Sequence, residues 1–84
     1  MPRYYYNIHD GHTILDDEGV ELPDLKAARD LAILNSGEIL KNGAGPAMWA
    51  GEPWRMWVTD GPAGGGKILF TLTFSASEGE ETAR

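Results

Sequence analysis

The sequence predicts a single α+β domain of ββαββ order, in which one amphipathic helix packs on one face of an antiparallel sheet of three to four strands. Three segments alternate apolar and polar residues, as half-buried strands do, and one longer segment repeats its apolar residues with the period of a helix. The 84 residues leave room for one core. We expect residues 1–75 to form this domain and residues 76–84 to be an acidic, disordered tail.

The N-terminal part of the chain predicts two strands joined by a turn. Aromatic and aliphatic residues recur at every second position over residues 3–9, which favours a half-buried strand. Asp10-Gly11 is a turn signal, and residues 13–15 predict a short returning strand. After a second turn at residues 16–19, residues 20–22 extend that returning strand.

A helix is predicted over about residues 25–41. Asp24 is placed to accept hydrogen bonds from the free amides of the first turn, and Asn42-Gly43 is a typical end signal. Lys41 suits the negative end of the helix dipole. The apolar stripe of this helix consists of Leu25, Ala28, Leu31, Ala32 and Ile39.

Two more strands are predicted over residues 54–59 and 67–74, and the connection between them is rich in glycine. Their apolar residues would join those of the first strand beneath the helix. The predicted core consists of Tyr4, Tyr6, Ile8, Leu22, Leu25, Ala28, Leu31, Ala32, Ile39, Trp54, Met56, Val58, Ile68, Phe70 and Leu72.

One helix covers only one face of the predicted sheet. The strand periodicity places Tyr5, Trp57, Leu69 and Thr71 on the other face, which is unusually aromatic for a surface that meets only water. An exposed patch of this composition indicates a protein partner, and a second copy of the chain is the simplest one. We therefore expect a homodimer formed through this face or through an edge strand.

Gly61 to Lys67 match the G-x-x-x-x-G-K part of a phosphate-binding loop. Such a loop works by joining a strand to a helix N-terminus, with a Ser or Thr after the lysine to hold Mg²⁺. Here Ile68 follows the lysine and begins a strand pattern. We therefore predict no nucleotide at Gly61–Lys67, and expect the run to be the long, mobile tip of a hairpin.

The first turn is where imidazoles and carboxylates gather. His9, Asp10 and His12 could hold a divalent metal ion, or a histidine there could act as an acid or base. The spacing matches no standard metal site, however, and turns are rich in aspartate for conformational reasons, which favours an ordinary turn. Trp49 could line a ligand pocket, although a plug at the end of a small core is the preferred interpretation.

The composition excludes several classes of function. The net charge of −6 and the scattered cations argue against nucleic acid as a partner. The chain contains no cysteine, which excludes disulfides and thiolate chemistry and fits a cytoplasmic protein. The apolar run over residues 68–74 is too short to cross a bilayer, so we expect no membrane insertion. No nucleophile–base set is visible, so we expect neither an enzyme nor a bound cofactor.

Several stretches also resemble a known family. "MPRYYYNIHDG", "DDEGVELPDLKAARDLA", "WRMWVTD" and "ILFTLTF" resemble a family of short bacterial proteins, mostly alphaproteobacterial, catalogued as domain of unknown function 6894. The resemblance covers nearly all of residues 2–74. It implies a small free-standing domain, and it brings no activity, cofactor or catalytic residue with it. The connection containing Met48-Trp49 and the loop over residues 61–66 are longer than in the family pattern.

These observations together predict a small non-enzymatic interaction, adaptor or structural protein that acts as a homo-oligomer. The alternative is a module that binds a small ligand or a divalent metal through the first turn (His9, Asp10, His12) and the Trp49 region.

Overall fold

The computed structural model describes residues 1–43 and 46–78 and confirms an α+β fold. The elements are β1 (Arg3–His9), β2 (Thr13–Ile14), β3 (Val20–Glu21), α1 (Leu25–Lys41), α2 (Pro46–Trp49), β4 (Trp54–Thr59) and β5 (Ile68–Phe74). Of the predicted tail, residues 79–84 lie outside the described residues, and residues 76–78 contain no helix or strand. In the described part of the chain, no helix is long and apolar enough to cross a membrane.

The sheet is entirely antiparallel, with the order β2-β1-β4-β5. β3 pairs with β1 on the same edge as β2, so the predicted returning strand is split into two short strands. β2 pairs near the end of β1, with Thr13 opposite His9, and β3 pairs near its start, with Val20 opposite Tyr4. The middle of β1 on this edge is therefore left to the loop that joins β2 to β3.

Helix α1 has the predicted bounds and the predicted N-cap. The Asp24 side chain accepts a hydrogen bond of 2.9 Å from the backbone N–H of Ala27, which satisfies one of the amides left free at a helix start. The helix ends at Lys41, and Asn42 follows as the C-cap. The N-cap and the ends of α1 could be predicted from the sequence because they depend only on neighbouring residues.

The core lies between α1 and one face of the sheet. Ala28 and Ala32 are fully buried on the helix, and their small side chains leave space for large residues of β4. Trp54 and Met56 pack with Ala32. Val58 packs with Ala28 and Tyr4 at the other end of the helix. Small and large residues thus fill facing positions, as close packing requires.

Three expectations about burial are wrong. Leu25 is 39 % exposed, because it lies at the first turn of α1, where the helix only begins to cover the sheet. Ile68 is 58 % exposed, for a reason given in the next subsection. The irregular connection after α1 contains the one-turn helix α2, which places Met48 against the core and leaves Trp49 58 % exposed. Trp49 therefore does not plug the core.

Tyr6 joins β1 to the helix through its side chain. The Tyr6 hydroxyl donates a hydrogen bond of 2.8 Å to the backbone carbonyl of Ala28. Burial, together with the nearby Tyr4, raises the pKa of the Tyr6 phenol from 10.0 to about 12. The neutral phenol is therefore the form that the folded protein favours.

We predict that Tyr6→Phe lowers the free energy of unfolding by about 1 kcal/mol at neutral pH, because it removes one hydrogen bond. The raised pKa adds a stabilisation that is complete below pH 10 and is lost as the pH rises toward about 12. The wild type should therefore lose stability over this range more steeply than Tyr6→Phe. Urea unfolding followed by circular dichroism at several pH values measures both effects, and Tyr5→Phe is the matched control. Equal alkaline slopes in wild type and Tyr6→Phe would contradict the prediction.

Candidate functional site

A β-bulge at the start of β5 decides which residues reach the helix-free face of the sheet. Thr59 pairs with Ile68 and Val58 pairs with Phe70, so Leu69 is an extra residue in the ladder. Leu69 packs against the core cluster that contains Val58, while Ile68 is exposed. The predicted burial of Ile68 and the predicted position of Leu69 on the open face are therefore both wrong, and the two residues exchange places. A strict period of two cannot reveal a bulge.

Four side chains of β4 and β5 form a patch on the helix-free face. The open-face patch consists of Arg55, Trp57, Ile68 and Thr71, which line a cavity of about 130 Å³. The guanidinium carbon of Arg55 lies 5.8 Å from the centre of the Trp57 ring, which is within the range of a cation–π contact. Trp57 lies directly opposite Thr71 in the β4–β5 ladder. Two predicted surface residues, Trp57 and Thr71, thus meet here.

Tyr5 is the remaining member of the predicted surface, and it lies under a loop. A Cβ placed on Gly19 would come within 2.8 Å of Cε2 of the Tyr5 ring, so the loop backbone lies directly against this side chain. Gly19 also has a φ of 71°, which a residue with a side chain rarely adopts. Glycine is required here for both reasons, and Tyr5 is only half-exposed.

The loop between β2 and β3 is held to β1 by the side chain of Asp16. Its Oδ2 accepts a hydrogen bond of 3.0 Å from the backbone N–H of Tyr6, at the place where neither β2 nor β3 reaches β1. Its Oδ1 accepts from the backbone N–H groups of Glu18, at 3.0 Å, and Gly19, at 3.1 Å. One carboxylate thus replaces a missing strand partner and also shapes its own loop.

These contacts determine the acidity of Asp16. Partial burial raises the pKa of the carboxyl, but hydrogen bonds from the backbone N–H groups of Tyr6, Glu18 and Gly19 lower it by more, and the net shift is downward. Asp16 is therefore held in its charged form in the folded protein.

A buried polar network continues from Asp16 across the helix-free face. The side-chain oxygen of Asn7, which is fully buried, accepts a hydrogen bond of 2.9 Å from the backbone N–H of Asp16. The Asn7 amide donates to the Trp57 carbonyl at 3.2 Å and to Thr59 Oγ1 at 3.3 Å. The Thr59 hydroxyl in turn donates to the Gly61 carbonyl at 2.9 Å. This network joins β1, β4 and two loops.

The glycine-rich run joins two antiparallel strands, as predicted, but it is not a free tip. Residues Pro62–Gly64 form a 3₁₀ turn, and the backbone N–H of Ala63 donates to the Asp16 carbonyl at 2.7 Å. At the base of the run, the backbone N–H of Lys67 donates to the side chain of Asp60 at 2.7 Å. The run is thus tied to the loop between β2 and β3 at Ala63 and closed at its base by Asp60. β5 follows Lys67 directly, so the run leads into a strand and not into a helix.

The first turn does not bring its predicted ligands together. His9 Nδ1 lies 3.0 Å from Thr13 Oγ1, and His9 Nε2 lies 2.7 Å from Glu52 Oε2. Both ring nitrogens are thus engaged, while His12 is exposed. Among residues 1–43 and 46–78, no three His, Cys, Asp or Glu side chains form a group able to hold a metal ion.

A larger cavity of about 380 Å³ lies where α1 ends near the first turn. Its lining consists of Asp10, Glu38, Ile39, Asn42 and Gly43. Asp10 is the single member of the predicted ligand set that contributes to it. His9 and Trp49 lie outside this lining.

Two contributors to this face were missed by sequence reasoning. Arg55 lies on the same face of β4 as Trp57 in the strand periodicity, so the sequence could have predicted that it shares this surface. Asp16 carried a weaker signal, since an aspartate followed three residues later by glycine is typical of a turn in which the side chain accepts from the backbone. The hydrogen bond from the Tyr6 N–H to Asp16 joins residues ten positions apart, so no local sequence pattern predicts it.

A comparison with known families identifies the chain. A family model described as Domain of unknown function (DUF6894) matches residues 3–75, which span every strand and both helices. The chain belongs to the DUF6894 family. The resemblance noted in the sequence is thereby confirmed. No curated protein and no solved structure matches this DUF6894 chain.

We predict that Asp16→Ala lowers the free energy of unfolding by about 2 kcal/mol, because it leaves the Tyr6 N–H without an acceptor. Since the pKa of Asp16 is lowered in the folded state, its stabilisation is present above the ordinary value of 3.8 and is lost as the pH falls below it. Asp16→Asn should therefore lose less stability than the wild type on acidification. Urea unfolding at neutral and acidic pH measures this. Asp17→Asn, at an exposed neighbouring position, should behave as the wild type.

The bulge generates a second prediction. Leu69→Thr should lower the free energy of unfolding by about 1–2 kcal/mol, because it removes apolar contacts with the core. Ile68→Thr keeps the β-branched shape at an exposed position and should change it by less than about 0.5 kcal/mol. Chemical unfolding of both variants distinguishes the bulged strand from a regular one, in which the two effects would be exchanged.

Proposed function

We propose that the protein is a small non-enzymatic interaction domain that acts as a homodimer through the helix-free side of its sheet. The observation that carries this proposal is the open-face patch of Arg55, Trp57, Ile68 and Thr71. α1 packs on the opposite face of the sheet, and the two loops that cross the helix-free face end over Tyr5 and Asn7. The patch is therefore left for a partner.

The composition of the open-face patch suits a protein partner. Tryptophan and arginine are enriched at protein interfaces and often supply most of the binding energy. Arg55 lies over the face of Trp57, so its charge remains accessible to a partner while its stem covers apolar surface. Ile68 adds an exposed apolar side chain beside them. The cavity of about 130 Å³ is small for an organic ligand but fits one inserted side chain.

The non-enzymatic part of the proposal is supported by the engagement of the reactive groups. Asp16 accepts three backbone hydrogen bonds, and His9 contacts Thr13 and Glu52 through its two ring nitrogens. These side chains therefore serve the structure of turns. An adaptor or structural role requires a binding surface, such as the open-face patch, and no reactive side chain. The proposal includes a cytoplasmic setting, which the cysteine-free sequence favours.

Sedimentation velocity over micromolar concentrations tests the proposal. We expect the wild type to sediment as a concentration-dependent dimer. Trp57→Glu should sediment as a monomer, because it removes the large apolar ring of the patch and puts in its place a carboxylate that the contact would have to desolvate. Leu34→Glu is the matched control, since it makes the same type of change at an exposed apolar position on the outer side of α1. A monomeric wild type, or a dimer that Trp57→Glu and Leu34→Glu affect equally, would contradict the proposal.

A further inference from the structure

The two edges of the sheet differ in whether their backbone groups are paired. The outer edge of β1 is occupied along its length by β2, by the Asp16 carboxylate and by β3. β5 forms the opposite edge, and no strand of the described residues pairs with its outer side. A free edge offers a row of unpaired backbone donors and acceptors to another strand.

The directions of the backbone groups on β5 follow from the pairing register. The backbone N–H of Tyr6 donates to a carboxylate beside β1, so it points away from β4. Tyr6 lies opposite Val58, which must then turn its own N–H and C=O toward Phe70 on β5. Because these directions alternate along a strand, Thr71 and Thr73 direct their backbone groups away from β4, to the free side.

Between Phe70 and Phe74, β5 lacks the devices that usually protect an edge, since its bulge lies at Ile68 and Leu69. Ile68–Phe74 contains no charged residue and no proline, although the whole chain carries a net charge of −6. Phe70, Leu72 and Phe74 contact the core clusters but are only half-buried. The helix therefore leaves part of this strand uncovered. Two copies of β5 could approach each other without like-charge repulsion and complete the burial of these three side chains.

We infer that the partner at this edge is a second copy of the chain, paired β5 to β5 in antiparallel orientation about a two-fold axis. This inference rests on the proposal that the chain forms a homodimer, and it places the contact at the β5 edge, beside the open-face patch. The bulge at Ile68 and Leu69 leaves Phe70–Phe74 as the regular segment, and its centre is Leu72. The axis passes through Leu72. Thr71 of one copy then pairs with the equivalent of Thr73 in the other.

This pairing has favourable contacts on both faces of the joined sheet. On the helix side, Phe70 of each copy lies opposite Phe74 of the other, which is a favourable cross-strand pair. On the other side, Thr71 lies between the partner strand and Trp57 of its own chain. The two open-face patches therefore lie on one continuous surface. Because the dimer has a two-fold axis, each hydrogen bond between Thr71 of one copy and Thr73 of the other is formed twice.

Proline substitutions test the backbone contact directly. Thr71→Pro and Thr73→Pro remove a donor that faces outward, which an edge strand tolerates in the monomer. Because each substitution occurs twice in a symmetric dimer, we expect the dissociation constant to rise by more than about tenfold. Thr71→Val and Thr73→Val keep the backbone donor and the branched shape, so each should raise the dissociation constant by less than the proline at the same position. Sedimentation gives the affinities, and circular dichroism checks that each variant is folded.

Disulfide trapping tests the register and remains decisive if a proline variant does not fold. The chain has no cysteine, so every cross-link reports an introduced position. Thr71→Cys and Thr73→Cys chains, mixed and oxidised, should form the mixed dimer in preference to either homodimer, because these positions pair directly. A dimer that Trp57→Glu disrupts but that forms no preferential mixed cross-link would overturn the β5 pairing and leave the proposed function standing. A dimer that forms the mixed cross-link but tolerates Trp57→Glu would support the β5 pairing and overturn the contact through the open-face patch. A monomeric wild type would overturn both.

Discussion

The contact between Asp16 and the middle of β1 is the interaction on which the helix-free side of the sheet depends. The two flanking strands are two residues long, and between them only the Asp16 carboxylate meets the Tyr6 N–H. The backbone of the same residue binds Asn7 on one side and Ala63 on the other. One residue therefore closes a sheet edge, positions a loop and anchors the glycine-rich run.

The two faces of the sheet are stabilised by different means. Beneath α1 the packing is apolar, with alanines on the helix facing large residues of β4. On the other face the centre is polar, and the fully buried Asn7 and Thr59 exchange hydrogen bonds with each other and with the loops. A chain of 84 residues has too little apolar surface for two cores, and a satisfied polar network can take the place of the second.

The helix, its N-cap and the long strands could be predicted because each depends on residues close in sequence. The α+β class follows from those elements together with the pairing of apolar faces. The exchange of Ile68 and Leu69 could not be predicted, since a bulge shifts the register without changing composition. The hydrogen bond between the glycine-rich run and Asp16 could not be predicted either, because Asp16 lies 47 positions away from Ala63 in the chain.

The central position of β1 sets the order in which the sheet can assemble. Tyr5 pairs with Thr59 and His9 with Arg55, so the central ladder joins segments 46 to 54 positions apart. Pairing of segments so far apart closes a large loop, which costs entropy before any contact is gained. We therefore expect the docking of β4 on β1 to be the slow step of folding.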